Sequence, residues 1–144
     1  MILGKIFDLI REFLSKIEPT EYINEAITSI TSAFDNIIKM QHYPIESTGR
    51  KLYLDYISAD LKRADKAITK ARKLLPELKD KLEFVAYRIS DLKSIVTKLR
   101  SIRTYDEQLS LTQSFLVYAR EAIDKLVDIL GEALAKAGIR VATA

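Results

Sequence analysis

The 144-residue chain is 48% apolar and 30% charged, with a formal net charge of +3. That balance predicts one folded domain with a sizeable core and argues against disorder, which accompanies low hydrophobicity and high net charge. With no cysteine and a single histidine, His42, the chain cannot form disulfides, thiolate metal sites or the multi-imidazole sites of structural zinc and di-iron, so no metal and no cofactor is expected.

Fourteen lysines and eighteen isoleucines against two Asn and three Gln lean toward a thermophile's protein. No apolar run approaches the roughly eighteen residues of a spanning helix. The first residues, Met1-Ile2-Leu3-Gly4-Lys5-Ile6-Phe7-Asp8, lack the basic region of a signal peptide. Membrane insertion is therefore not expected, and the expected location is cytoplasmic.

In chain order, apolar residues spaced three and four apart predict a short amphipathic first helix of about sixteen residues that stops before Pro19. A second helix runs from about Thr20 to Met40, opened by Pro19 or Thr20, on a stripe of Ile23, Ile27, Ile30, Phe34 and Ile37. Ala26 and Ala33 flank that stripe and would let a neighbour come close. Gln41 to Arg50, with Pro44 and Gly49 among polar residues, predicts a loop. The third helix carries Leu54, Ile57, Leu61, Ala64, Ile68, Ala71 and Leu75.

The same phase continues beyond Pro76 through Leu78, Leu82, Val85, Ile89, Leu92, Val96 and Leu99. Proline in a helix interior costs about 3 kcal/mol and disfavours helical geometry at the preceding residue. An unbroken helix of about fifty residues would be roughly 75 Å long, too long to pack within one chain. A turn is expected, with Pro76 opening a fourth helix.

Thr104-Tyr105-Asp106-Glu107 is a capping box, with hydroxyl and carboxylate each expected to reach the other's free backbone N–H, so the last helix starts near Tyr105. Its stripe is Leu109, Leu116, Ala119, Ile123, Leu126, Leu130, Ala133 and Ala137, with Thr112 in phase and Gly138 suited to the stop. The fold expected is all-α: an antiparallel up-down bundle of four long helices, residues 1–138, with the short first helix laid across it beside Phe84 and Tyr87. Residues 139–144 are expected to be a flexible tail.

Charge is uneven along the chain. Residues 1–49 have net charge −3, residues 50–103 net +8, and residues 104–144 net −2. Lys62, Arg63, Lys66, Lys70 and Lys73 fall opposite the apolar stripe of the third helix. Like charges four residues apart each cost a few tenths of a kcal/mol. That self-repulsion suggests a face for an anionic partner, either nucleic acid phosphates or an acidic protein surface. The competing explanation is a solvated lysine-rich face.

Glu121, Asp124, Asp128 and Glu132 form an acidic stripe on the outer side of the last helix. It could complement the basic face of another molecule; a hard-cation site is the weaker alternative, since no second carboxylate cluster accompanies it. The first helix, with Ile2, Leu3, Ile6, Phe7, Ile10 and Phe13, is apolar over more than half its circumference and offers an oligomer or membrane contact. His42, beside Tyr43 in the loop, has no nucleophile motif near it.

The leading expectation is a non-enzymatic helical interaction protein that binds an anionic partner through the basic face. Its alternatives are a self-assembling coat or scaffold subunit, forming homo-oligomers through the first helix and the charged stripes, and a peripheral membrane-surface protein. Catalysis has the least support, because titratable side chains lie on predicted solvent faces and do not converge.

Overall fold

The computed structural model describes residues 2–139, and among them are four α-helices. These are α1 (Ile2–Met40), α2 (Thr48–Leu74), α3 (Lys79–Leu99) and α4 (Tyr105–Lys136), with a 3-10 turn, Pro76–Leu78, between α2 and α3. The described residues contain no strand. Of the predicted tail, residues 140–144 lie outside the described residues.

No short first helix exists: α1 runs unbroken through Pro19, which is buried inside it. The amide hydrogen that proline lacks would have met the Ser15 carbonyl, and Ser15 is exposed, so solvent can meet that carbonyl instead. The Thr20 hydroxyl donates back to the Ile17 carbonyl at 2.6 Å, adding a bond where the ladder is interrupted. The N-terminal part of α1 is not laid across the other helices, and Phe84 and Tyr87 do not receive it. Phe84 is covered by Arg88 and Lys125, and Tyr87 stays 70% exposed.

Cross-helix contacts fix the directions. Asn36 Nδ2 donates to Asp60 at 3.0 Å and Lys70 lies over the Tyr22 ring, so α1 and α2 are antiparallel. Lys93 pairs with Asp65 and Arg72 with Glu83, making α2 and α3 antiparallel across the Pro76 turn. Lys81 pairs with Asp128 and Lys136 with Glu77 between α3 and α4. Gln41 meets Thr112 and Gln108, bringing the start of α4 back to the end of α1.

Every residue of the stripes predicted for α2 and α3, from Leu54 to Leu75 and from Leu78 to Leu99, is buried, and Arg50, Asp60, Ala67 and Ile95 are buried with them. In α1 and α4 the predicted stripes are off centre. Ala26 and Ala33 are fully buried between Ile23, Ile30 and Ile37, whereas Ile27 and Phe34 sit at the core's edge. In α4 the core is Phe115, Ala119, Ala122, Leu126, Ile129 and Ala133, and Leu109 is exposed.

The ends follow capping chemistry. Ser47 accepts from the Arg50 amide at the start of α2. Thr104 accepts from the Glu107 amide at 3.2 Å, while its hydroxyl donates to the Glu107 carboxylate at 2.9 Å, so that carboxylate meets the hydroxyl rather than the backbone. Gly138, at φ 80°, ends α4 in a Schellman turn, with Ile139 N–H to Leu134 and Gly138 N–H to Ala135.

Candidate functional site

The five predicted basic residues are all exposed and spread over an arc of about 100° on the outer side of α2. α2 turns 100° per residue, so Lys62, Lys66 and Lys73 lean toward α3 while Arg63 and Lys70 lean toward α1. Arg63 is held by the buried carboxylate of Asp60, and Lys70 is placed over Tyr22, 5.2 Å from the ring centroid. Lys62, Lys66, Lys70 and Lys73 are exposed, and none makes an ion pair with another described residue.

Lys62 and Lys66 form one wall of a cleft of about 500 Å³ along the seam between α2 and α3. Leu61 and Val96 give it an apolar floor, and Lys93 and Arg100 of the α3 side face the α2 lysines across it. Two more clefts continue the same seam. One, of about 550 Å³, shares Arg100 and adds Arg50, Lys51 and Arg103; the other, of about 260 Å³, is lined by Thr69, Arg72, Lys73 and Lys79. The seam is cationic from Lys51 to Lys73, roughly 33 Å of helix. Its lining carboxylates are Glu46 and Asp65, and Lys93 pairs with Asp65, Arg100 with Asp55, and Arg72 and Lys79 with Glu83, so the unpaired charge lies mainly on the α2 lysines.

Sequence spacing missed the cations on the α3 side, Lys79, Lys93, Arg100 and Arg103. Their signal was the net +8 of residues 50–103 together with the turn at Pro76, which folds the two basic helices against each other.

At the loop end of the seam, Arg50 is 4% exposed. Its Nε donates to Gln108 at 2.8 Å, and its terminal nitrogens donate to the carbonyls of Leu99 at 2.7 Å and Ile45 at 3.3 Å. Burial pushes the guanidinium below its ordinary value, with Tyr105 acting in the opposite direction. Gln108 donates onward to Gln41, whose own amide donates to Ile37 and Thr112. This polar network ties all four helices together at the end of the molecule where Arg100 and Arg103 present their charge.

The acidic stripe of α4 is largely engaged within the chain. Lys81 pairs with Asp128 at 3.0 Å and with Glu132 at 2.5 Å, bonds that raise its pKa, the Glu132 bond most. Glu121 lies 2.7 Å from Arg88. The Arg88 pKa is raised first by its bond to Asp91, and its guanidinium stacks between Phe84 and Tyr118. Asp124 is exposed. Among the described residues, no group of three potential ligands converges to hold a metal.

The predicted contact residues of the N-terminus stand in solvent. Ile2, Leu3, Ile6, Phe7, Ile10 and Phe13 are between 45% and 79% exposed, and Leu9 and Leu14 accompany them. The contacts at Asn36–Asp60 and Tyr22–Lys70 set a register in which Leu74, the end of α2, stands level with about Thr20. Residues 2–18 therefore project past the other helices as an arm roughly 25 Å long. No helix of the described residues is long and apolar enough to cross a membrane. His42 is exposed in the turn after α1.

Comparison with protein-family models, curated proteins and solved structures finds no match.

Proposed function

We propose that the chain is a non-enzymatic interaction protein that binds the backbone of nucleic acid along the α2/α3 seam, on a framework of four helices arranged as an antiparallel up-down bundle. The supporting observation is the line of three clefts that runs from Arg103 and Lys51 to Lys73 and Lys79 and carries cations on both walls. Several of these cations, including Lys62, Lys66 and Lys73, lack a carboxylate partner among the described residues, so a phosphate approaching them displaces no ion pair. A packed helix has no structural need for such a row, and the row costs helix stability through like-charge repulsion.

Binding of this kind is directed at the phosphates and indifferent to base sequence, because the described residues that line the three clefts include no aromatic side chain on which a base could stack. Nonspecific affinity in the micromolar range at moderate salt is expected. The test is fluorescence anisotropy with a mixed-sequence duplex, comparing the native chain with Lys62→Gln/Lys66→Gln/Lys73→Gln. The triple variant should lose at least tenfold in affinity. Equal affinity for native chain and variant, or binding to an acidic protein surface but not to the duplex, would remove the proposal.

A further inference from the structure

We infer that the arm, residues 2–18 of α1, packs against the arms of at least two other copies of this chain, building an assembly larger than a dimer. Two 3,4 patterns meet in α1, and they are out of phase. The arm's stripe is Leu3, Ile6, Ile10, Phe13 and Ile17. Carried forward, that alternation reaches Asn24, Ile27, Thr31 and Phe34, each one residue past the buried Ile23, Ala26, Ile30 and Ala33. One residue is 100° of rotation, so the arm turns its apolar side away from the direction in which the same helix meets α2 and α4. The exposed side is a surface of its own and not an overhang of the core.

Its width indicates the number of neighbours. In the heptad set by that stripe, the flanking positions hold Ile2 and Leu9 on one side and Phe7 and Leu14 on the other, with Lys16 the polar member. Paired helices usually carry charged residues at these flanks, which stay wet. Apolar flanks extend the dry face to roughly 200°, enough for two neighbouring helices at once, as in a cluster of three or four. Each arm exposes about 100 Å² on each of eight large apolar side chains. Burying most of that from each arm of a three-arm cluster removes roughly 2,000 Å² in all, about 700 Å² at each of three pairwise contacts, which together reach the size of a stable interface.

Charge favours copies of the chain over a lipid surface as the occupant. The arm's Lys5, Arg11 and Lys16 are balanced by Asp8, Glu12 and Glu18, so it has no net attraction to anionic headgroups, and interfacial helices carry a basic polar face. Asp8–Arg11 and Glu12–Lys16 pair within the arm, leaving the polar strip satisfied on the outside of a cluster. A seventeen-residue helix without tertiary support is marginal in water, so its helicity should depend on finding partners.

The test is sedimentation equilibrium of the full chain over low to high micromolar concentration, with circular dichroism on the same samples. Expected are a mass of three or more copies, a gain in helicity with concentration, and a return to the single-chain mass in Ile6→Glu/Phe13→Glu. A control, Lys5→Gln, keeps the assembled mass, and the thermal transition of the core should be alike in all three chains. A single-chain mass throughout, a dimer that does not grow, a mass insensitive to the double substitution, or binding to anionic vesicles by a chain that stays single would each overturn it.

Discussion

Arg50 donates to the carbonyl of Leu99 at 2.7 Å, so a buried guanidinium at the start of α2 closes the C-terminal end of α3. The helix end carries partial negative charge, which stands in for a carboxylate partner. A buried charge is tolerated when its donors are satisfied, and here Gln108 and Ile45 receive the other bonds. Arg50→Met should therefore cost about 3 kcal/mol, because it strands Gln108 and the Leu99 carbonyl in a dry site. Urea unfolding checks this. Arg50→Lys should recover only part of the loss, since one ammonium cannot reach three acceptors set around a planar fork.

Pro19 tests the continuity of α1. Because α1 runs through it, Pro19→Ala restores a ladder bond to Ser15 and relieves ring crowding, and the substitution should raise stability by about 1 kcal/mol or more. Hydrogen exchange should slow across Ile17 to Ile23. A helix that in fact ended there would gain little, and exchange at those amides would stay fast.

The Arg88 cluster joins α3 to α4 through stacking on Phe84 and Tyr118 as well as through Glu121. Arg88→Met keeps much of the packing but removes both charge contacts and cation–π attraction, and should cost roughly 1–2 kcal/mol. Tyr118→Leu in the Arg88→Met background should cost less than Tyr118→Leu alone, a coupling that a double-mutant cycle measures.

Glu77 gives a pH dependence. The hydrogen bond from Lys136 holds its carboxyl below the ordinary carboxylate range. A depressed pKa in the folded chain contributes stability above the ordinary value and loses it as pH falls through the folded one. The pair is at the surface, so its worth is a few tenths of a kcal/mol. Glu77→Gln should be slightly less stable than the native chain at neutral pH, and the gap should close in acid; a gap that persists or grows in acid is inconsistent with this pair.

Much of the fold is legible in the sequence where a helix has one apolar side. Strict alternation from Leu54 to Leu99 marks the buried faces of α2 and α3, and Pro76 marks the turn between them. α4 is harder, because Leu109, Leu111, Phe115, Leu116 and Val117 spread apolar residues around much of its circumference, so spacing alone does not fix the centre of the stripe. The first helix fails for another reason. Proline's penalty is a local quantity, and here solvent at Ser15 and the Thr20 bond lower it enough for the helix to continue.

The seam was half visible. Lysines on α2 announce themselves by spacing within one helix, but Lys93 and Arg100 join them only through tertiary register, set by Lys93–Asp65 and Arg100–Asp55. The acidic stripe illustrates the reverse. Glu121, Asp128 and Glu132 look unpaired in sequence because their partners Arg88 and Lys81 lie on another helix.

The most direct test of the seam's role is the salt dependence of binding to a mixed-sequence duplex. With about five phosphates neutralised, the logarithm of affinity should fall against the logarithm of salt with a slope of about −4 to −5. Each of Lys62→Gln, Lys66→Gln and Lys73→Gln should flatten the slope by about one. Affinity that is absent at low salt, or a slope that these substitutions leave unchanged, would contradict it.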